Sequence, residues 1–252
     1  MKKKIIAIIQ ARIGSSRLPG KSMKLILGRP MLWYQLRQIA KSKKITQVVV
    51  ATTNQKKDRV ISNYCKKKKI ECFKGDEKNV LQRYFFASLK YKADIIVRLT
   101  SDCPLIDPKI IDKSISIFQR NDYDYVSNTC PPEGATYTDG MDVEVFDFFS
   151  LSTAYLKCKN DSEKEHVTHF FWKKNNGFKT FRFNLKSNYR NYRLTVDYIE
   201  DFILIKKIIY YFKKNKINIS YNNIIRFMKK NKKISQINLC RNKDFVTTGV
   251  NN

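Results

Sequence analysis

The amino-acid sequence predicts an α/β protein with a doubly wound, mostly parallel sheet and a small β-containing excursion. Over the first half of the chain, short apolar runs typical of buried strands alternate with longer amphipathic stretches typical of helices. Strands that alternate with helices in this way form parallel sheets covered on both faces. The chain has 252 residues and no low-complexity linker, so we predict a single domain over residues 1–252.

Five strands and four helices are predicted in the first half. The predicted strands cover residues 4–11, 46–52, 71–73, 94–100 and 123–128. The predicted helices cover residues 30–43, 56–69, 77–92 and 108–120, and two of them begin at a proline, which suits a first helical turn. A doubly wound sheet binds its ligands at the carboxyl ends of its strands. We therefore expect functional residues in the loops that follow the first and fourth strands.

The pattern of predicted strands and helices changes in the second half of the chain. Residues 141–146 alternate like a strand that is exposed on one face, and they belong to a predicted inserted excursion at about 130–150. Further strands are predicted at 178–183 and 193–196. Helices are predicted at 147–158, 162–174, 197–214 and 220–230, the last two within a C-terminal helical region over 198–252.

The composition excludes several classes of protein. Hydrophobic residues make up 42% of the chain, too many for a disordered protein. No apolar run approaches the roughly 20 residues of a membrane span, so no transmembrane segment is expected. The N-terminal apolar run is too short for a signal peptide. Six cysteines without a CxxC pair are typical of free thiols in a reducing compartment, which favours a cytoplasmic location.

The net charge of +28 comes mainly from lysines spread along the whole chain. A nucleic-acid surface would cluster its charge and favour arginine, so we expect no specific nucleic-acid partner. Residues 199–231 alternate Ile, Phe and Tyr with Lys. This pattern is typical either of helices that pack on the sheet, which we favour, or of a membrane-surface helix.

The loop after the first predicted strand has the composition of a triphosphate-binding site. Residues 10–22 read QARIGSSRLPGKS and combine glycines, adjacent serines, two arginines and a lysine. Five residues separate Gly14 from Gly20, and Pro19 removes one backbone amide, so the loop is not a Walker A motif. The alternative is an ordinary turn that carries surface bases.

The segment ARIGSSRLPGK, residues 11–21, resembles the activating loop of the sugar cytidylyltransferases, which make CMP-sialic acid and CMP-3-deoxy-manno-octulosonate. The segments VRLTSDCPLID, DYDYVSNT, DGMDVEVF, EHVT and RLTVD also fit, most closely the subgroup called spore coat polysaccharide biosynthesis protein F. Their order and spacing match from about residue 4 to residue 205. The resemblance implies a Rossmann-like nucleotide-diphospho-sugar transferase fold and a homodimer. It also implies CTP-dependent, Mg²⁺-dependent transfer of CMP to an acidic sugar for surface polysaccharide or glycan synthesis.

The resemblance also assigns residues to the nucleotide. The implied nucleotide-binding residues are Gln10, Ala11, Arg12, Gly14, Ser15, Ser16, Arg17, Lys21, Thr100 and Ser101. The implied catalytic residues are Arg12, Lys21, Asp102 and Asp197.

Two aspartates are candidates for holding Mg²⁺. Asp102 follows the fourth predicted strand, and a cation that bridges triphosphate oxygens needs one or two carboxylates. The resemblance adds Asp197, from a late strand that returns to the site. Alternatively, Asp102 caps a helix, a role that Asp107 before Pro108 fits better. Asp201 is expected to be a first-turn helix carboxylate.

The acceptor side is less defined. The candidate substrate-binding residues are Asn128, Asp142, Glu144, His166 and Arg193. The two carboxylates among them could instead keep an edge strand soluble, and His166 could be structural. Arg98 and Arg193 would bind an acidic acceptor or pair with the two aspartates. His166 and His169 lie three residues apart without a nearby third ligand, so no zinc site is expected.

Two other functions remain open from the sequence. The first is a nucleotidyltransferase of the same fold that acts on a sugar phosphate. The second is a basic non-enzymatic protein that binds nucleic acid or a membrane surface.

Overall fold

The computed structural model describes residues 3–172 and 176–242, and its centre is a seven-stranded sheet. The strands in the described residues are β1 (Ile5–Gln10), β2 (Leu25–Ile26), β3 (Arg29–Pro30), β4 (Gln47–Thr53), β5 (Glu71–Gly75), β6 (Ile95–Thr100), β7 (Tyr125–Ser127), β8 (Glu144–Asp147) and β9 (Thr180–Arg182). β2 and β3 form a separate hairpin, and the other strands have the order β5-β4-β1-β6-β8-β7-β9. All neighbours are parallel except β8, which is antiparallel to both β6 and β7. The predicted α/β fold with a mostly parallel sheet is confirmed.

The helices cover both faces of the sheet. They are α1 (Met31–Ile39), α2 (Arg59–Lys67), α3 (Val80–Lys90), α4 (Pro108–Arg120), α5 (Phe148–Lys157), α6 (Asp161–His166), α7 (His169–Trp172), α8 (Ile199–Lys214), α9 (Tyr221–Lys230) and α10 (Lys232–Ser235). Short 3₁₀ turns lie at Lys21–Met23, Lys56–Asp58 and Leu239–Arg241. No helix within the two described ranges is long and apolar enough to cross a membrane.

The apolar runs form strands because their side chains are buried on both faces. In β1, Ile5, Ala7 and Ile9 pack with α1, α4, α8 and α9 on one side of the sheet. Ile6 and Ile8 pack with α3, α5 and α7 on the other. Period-two alternation between two apolar layers explains why this strand reads as a continuous apolar run.

Several helices start where a polar side chain satisfies a free backbone amide. The carboxylate of Asp107 accepts the backbone N–H of Lys109 at 2.8 Å, one residue after Pro108 begins α4. Asp107 therefore has the capping role that the sequence assigned to it in preference to Asp102. Asn79 caps α3 in the same way, accepting from the backbone of Gln82.

The strand predicted over 141–146 is placed differently. β8 begins at Glu144 and pairs with a strand along each edge, and the successive residues Glu144, Val145 and Phe146 are all buried, so the prediction of one exposed face was wrong. The Glu144 residue is only 2% exposed, and its carboxylate pairs with the guanidinium of Arg98 on β6. The alternation of acidic and apolar residues therefore reflects an internal ion pair and not a solvated edge.

Three other predictions need correction. Residues 193–196 form a single bridge, between Asp139 and Arg193, and no strand, because this segment is held by side chains and isolated backbone bonds. The helix predicted over 162–174 is broken at Val167, whose φ of +58° separates α6 from α7, and residues 173–175 lie outside the described residues. The loop predicted over 12–30 contains the short β2–β3 hairpin and a 3₁₀ turn.

Gly140 brings the excursion against the segment that carries Asp197. Its φ is +98°, and a Cβ atom there would lie 2.3 Å from the backbone carbon of Leu194 and the nitrogen of Thr195. Such a contact is shorter than any packed structure tolerates, so the two backbones can approach only because residue 140 lacks a side chain.

We expect Gly140→Ala to lower the free energy of unfolding by more than about 3 kcal/mol, since backbone displacement adds to the cost of a positive φ. Gly177→Ala is the matched control, because its φ is +76° but no atom lies within 4 Å of its Cβ position. We expect that control to lose only about 1 kcal/mol. Denaturant titration of both variants measures the difference, and equal losses would contradict the proposed close approach.

Candidate active site

A cleft of about 330 Å³ opens at the carboxyl ends of β1 and β6, where a doubly wound sheet binds ligands. The residues that line it are Gln10, Ala11, Arg12, Ser15, Ser16, Arg17, Lys21, Val80, Arg83, Arg98, Thr100, Ser101, Asp102, Glu165, His166 and Asp197. Every residue predicted to bind nucleotide or metal is among them except Gly14. Of the five candidate substrate-binding residues, only His166 lines the cleft, and Arg98, which was also predicted to contact an acidic acceptor, lines it as well.

The loop after β1 is folded on its own backbone. The carbonyl of Ile13 accepts the backbone N–H groups of both Ser15 and Gly20, at 2.8 and 3.0 Å. The backbone N–H of Ile13 donates to Asp58 at 2.6 Å. Leu18 is buried and anchors the loop in the core. This compact turn leaves the serines and arginines facing the cleft.

The loop is tied to the segment after β6 at several points. The hydroxyls of Ser22 and Ser101 lie 2.8 Å apart, and the backbone N–H of Ser101 donates to the carbonyl of Gln10 at 3.1 Å. The side-chain amide of Gln35 on α1 donates to the carbonyl of Thr100 at 2.7 Å. The two sequence segments assigned to the nucleotide are therefore positioned as one unit.

Lys21 joins the two candidate metal ligands. Its Nζ lies 2.9 Å from Oδ2 of Asp102 and 2.8 Å from Oδ1 of Asp197. Arg17 and Arg193 also contact Asp197, at 3.1 and 2.8 Å. Residues 95 positions apart in the chain thus converge on one ammonium group, and the side chain of Lys21 is almost fully buried there.

These contacts set the charge state of the cluster. Burial opposes the charged form of Lys21, but the two carboxylates outweigh it and raise the pKa of the ammonium. Burial also opposes ionisation of Asp102, yet Lys21 and the hydroxyl of Thr100 lower the pKa of that carboxyl to about 2. Asp102 is therefore an ionised carboxylate at neutral pH.

The cleft has a surplus of positive charge. Five cationic side chains and three carboxylates line it, with the histidine neutral. Arg12 and Arg17 are about two-fifths exposed and reach solvent at its mouth, where Arg12 lies 3.6 Å from Glu165. This charge distribution suits a ligand that carries several negative charges.

Arg83 is a cleft residue that sequence reasoning missed. It lies on α3 and is only 2% exposed, and its Nη1 donates to the carbonyl of Asp76 at 3.1 Å. Its Nε has no hydrogen-bond partner among the residues that the structure describes. Burial lowers the pKa of this guanidinium, which nevertheless stays charged. An arginine at an inward position of an amphipathic helix was the signal that could have identified it.

Gln10 offers a second free polar group. Its side-chain Oε1 is buried at the end of β1 and has no donor within the described part of the chain. Buried polar groups are normally hydrogen-bonded. Together with Arg83, it gives the cleft one unsatisfied acceptor and one unsatisfied donor, which a bound ligand could satisfy.

Arg98 and Glu144 form a buried pair beside the cleft. The carboxylate of Glu144 also accepts the hydroxyls of Tyr125 and Thr168, each at 2.6 Å. Burial would raise the pKa of Glu144, but Arg98 outweighs this and keeps the carboxyl ionised. The predicted acceptor residue Glu144 is therefore saturated by protein partners, whereas Arg98 lines the cleft.

Two further predicted acceptor residues hold the excursion together. Asn128 is fully buried, and its amide bonds the backbone of Met141 and Val143 at 2.8 and 2.9 Å. The carboxylate of Asp142 accepts the backbone N–H of Gly140 at 2.7 Å. Neither side chain lines the cleft.

Arg193 holds the late segment by contacts with three carboxylates. Its guanidinium donates to Asp139 at 2.6 Å, to Asp197 at 2.8 Å and to Asp201 at 3.2 Å. Of the two pairings predicted for it, Asp197 is observed and Asp102 is not. Asp201 lies in the first turn of α8, as predicted, and accepts the backbone N–H groups of Asp197 and Tyr198.

The two histidines lie on separate short helices, and their rings stack with centroids 4.3 Å apart. Desolvation lowers the pKa of both, and the neighbouring ring helps to lower that of His169 to about 4. Both are thus neutral at pH 7. Within residues 3–172 and 176–242, no group of three or more His, Cys, Asp or Glu side chains could hold a metal.

A pair of carboxylates is nevertheless a suitable set for Mg²⁺. This ion needs only one or two protein carboxylates when substrate phosphates and water complete its shell. Oxygens of Asp102 and Asp197 both approach Nζ of Lys21 within 3 Å, so one cation can reach both residues. The donor chemistry therefore fits Mg²⁺ once Lys21 turns away.

Comparison with known proteins identifies the family of the chain. A family model described as Cytidylyltransferase matches residues 6–247. Spore coat polysaccharide biosynthesis protein SpsF of Bacillus subtilis (strain 168) is 30% identical over 210 residues, which cover 80% of this chain and 85% of that protein.

Solved structures give the same result. A cytidylyltransferase from Leptospira borgpetersenii serovar Hardjo-bovis (strain JB197) has a TM-score of 0.86 and 36% identity, covering 93% of this chain and 98% of its own. A CMP:2-keto-3-deoxy-manno-octonic acid synthetase complexed with CTP has a TM-score of 0.61 at 16% identity, covering 82% and 98%, and shares the fold. From the family model and these relatives, we conclude that the chain belongs to the cytidylyltransferase family.

Proposed function

We propose that this protein transfers a cytidylyl group from CTP to a sugar acid, in the synthesis of a surface polysaccharide or glycan. A hydroxyl oxygen of the acceptor attacks the α-phosphorus and loses its proton to solvent, the bond from that phosphorus to the oxygen that bridges it to the β-phosphorus breaks, and pyrophosphate leaves with that oxygen. The observation that carries the proposal is the cationic cleft in which Lys21, Asp102 and Asp197 meet. Nucleotidyl transfer needs alignment and charge neutralisation more than covalent chemistry, and this cleft can supply both.

The residues of the first loop would hold the triphosphate. Arg12 and Arg17 stand at the mouth, where their guanidiniums can take phosphate oxygens in bidentate fashion. Lys21 would exchange its two carboxylate partners for phosphate oxygens when CTP enters. That exchange would release Asp102 and Asp197 to hold Mg²⁺, which neutralises charge on the triphosphate when it is bound.

The acceptor would contact Arg98, Glu165 and His166, which line the cleft and belong to neither of the two segments assigned to the nucleotide. Nε of Arg98 has no partner among the described residues, so this guanidinium can still donate to an acidic acceptor. Carboxylates and cationic side chains that meet in one cleft favour an enzyme over a basic protein that only binds nucleic acid or a membrane surface.

The primary test is pyrophosphate release with Mg²⁺ across CTP, UTP, ATP and GTP, each offered keto-sugar acids and sugar phosphates. We expect release with CTP and a sugar acid, and its loss when EDTA removes the metal. Asp102→Asn is expected to lower kcat/KM at least about a hundredfold, because it removes one of the two carboxylate charges that would hold Mg²⁺.

Asp122→Asn is the matched control for that variant, since Asp122 is an exposed aspartate that pairs with Lys179 on the surface. It should leave kcat/KM unchanged. Full activity of Asp102→Asn, or CTP binding without turnover across all acceptor classes, would contradict the proposed reaction. Release with sugar phosphates only would replace the proposed acceptor class.

Arg83→Met separates a ligand-binding role from a structural one. If Arg83 binds the nucleotide, this change should weaken CTP binding by about tenfold or more, the effect of losing one charge-assisted hydrogen bond. Arg83 donates one hydrogen bond to the protein, to the carbonyl of exposed Asp76, where water can replace it, and Met is similarly long, so the melting temperature should fall little. Calorimetric titration and thermal melting measure the two effects. Unchanged CTP affinity with a lowered melting temperature would assign Arg83 to the fold.

We also propose that two copies of the chain pair through an apolar face of α3 and α5. Phe149 and Leu156 on α5 are 78% and 80% exposed, and Phe86 and Leu89 on α3 are also exposed. α5 carries one charged residue, Lys157, in a chain of net charge +28. Strongly basic copies repel each other except across a neutral face, so this face suits a second copy.

Sedimentation velocity tests the pairing. We expect a dimer for the natural chain and a monomer for the double variant Phe149→Ser with Leu156→Ser, because that variant removes the exposed apolar anchors. Ile203→Ser, at an exposed position on α8, is the control and should remain dimeric. A monomeric natural chain, or a double variant that still dimerises, would contradict this interface.

A further inference from the structure

A second groove lies between α1 and α8, and it shares no lining residue with the cleft. Its volume is about 420 Å³, comparable to that of the cleft. Ile209, Phe212, Ile217 and Ile219 form an apolar wall, and Trp33 of α1 faces them across the groove. The groove is therefore large enough for a small organic molecule, and part of its surface is apolar.

Four cationic side chains surround this groove. They are Arg29, Arg37, Lys41 and Lys213. No acidic residue is among its lining residues, and no carboxylate in residues 3–172 and 176–242 forms an ion pair with any of the four. In the cleft, by contrast, three carboxylates offset most of the charge of the five cationic side chains.

Both arginines lie against the same indole ring. The guanidinium carbons of Arg29 and Arg37 are 5.7 and 5.6 Å from the centre of the Trp33 ring. A cation–π contact of this kind holds a guanidinium in place and leaves its N–H donors available. A guanidinium positioned in this way is well suited to a phosphoryl group, which accepts paired hydrogen bonds.

Helix ends do not account for this charge. Arg37 and Lys213 lie in the last turns of α1 and α8, and Lys41 follows α1 closely, where cations are favourable. Each helix end offsets only about half an elementary charge, so two ends leave about three of the four positive charges uncompensated.

The polar groups in the floor are already satisfied. The amide nitrogen of Gln38 donates to the carbonyls of Ile106 and Ile219, and its oxygen accepts from Lys41 at 2.7 Å. The hydroxyl of Tyr34 donates to the carbonyl of Ile26 at 2.7 Å. Recognition in this groove therefore depends on the arginines and on apolar contact.

We propose that the groove is a second ligand site that binds a small organic phosphate. The phosphoryl group would lie on the guanidiniums of Arg29 and Arg37, with Lys41 and Lys213 adding charge. The apolar or ring portion would lie between Trp33 and the α8 wall. A groove enclosed by two helices suits a discrete molecule better than a lipid surface, which would need a broad exposed face.

Trp33 reports directly on this site. The chain has two tryptophans, so Trp172→Phe leaves Trp33 as the only indole. The indole nitrogen of Trp172 has no partner among the described residues, so the change to Phe removes no hydrogen bond from that part of the chain. We use phenyl phosphate as the probe and phenol as the probe without charge, with calorimetry as an independent readout.

We expect a saturable change of Trp33 fluorescence with phenyl phosphate and none with phenol. In the same background, Arg29→Gln with Arg37→Gln should raise the apparent Kd at least about tenfold, since both charge-assisted contacts are lost. Lys66→Gln with Lys67→Gln is the control of equal charge change, on exposed positions of α2, and should change the Kd less than about twofold.

Three results would overturn the proposal. The first is the absence of saturable binding at millimolar phenyl phosphate. The second is equal weakening in both double variants, which would indicate general charge attraction. The third is no response to phenyl phosphate together with co-sedimentation on phosphatidylglycerol vesicles, but not phosphatidylcholine vesicles, that the arginine variant loses. That result would assign the groove to an anionic lipid surface.

Discussion

The ammonium of Lys21 between Asp102 and Asp197 is the interaction on which the rest of the site depends. It joins the loop after β1, the loop after β6 and the segment before α8, which are far apart in the chain. Two carboxylates this close would repel each other without a cation between them. Lys21 supplies that cation in the free protein. In the proposed reaction, its transfer to the triphosphate leaves a carboxylate pair that suits Mg²⁺.

Charged side chains in and beside the sheet around the site are also paired with side chains of opposite charge. β8 enters antiparallel between β6 and β7, and it carries Glu144 into the interior opposite Arg98. On the other side, Arg193 fastens the excursion at Asp139 to the segment at Asp197. The buried charges of Arg98, Glu144 and Arg193 are all paired, as the cost of burying an isolated ion requires. The ion pairs that position residues of the cleft therefore also connect the strands and loops of the fold.

Features that depend on neighbouring residues in the chain could be predicted from the sequence. The apolar runs of the parallel strands, the cap at Asp107 and the phosphate-type loop at 10–22 are local patterns, and most of the residues assigned to nucleotide line the cleft. The exposure of β8 was predicted wrongly, because the face that carries Glu144 is buried against Arg98, Tyr125 and Thr168, which are distant in sequence. Arg83 was missed because the inward face of an amphipathic helix is expected to be apolar, and a single charged residue on that face was not interpreted as part of a binding site.

In the proposed reaction, Lys21 exchanges its carboxylates for triphosphate oxygens. A crystal structure with Mg²⁺ and a non-hydrolysable CTP analogue would show whether this exchange occurs. We expect Nζ of Lys21 to contact a phosphate oxygen and to leave Asp102, with a metal ion on Asp102 and Asp197. A triphosphate bound outside the cleft, or Lys21 still held between the two carboxylates beside a bound nucleotide, would contradict it.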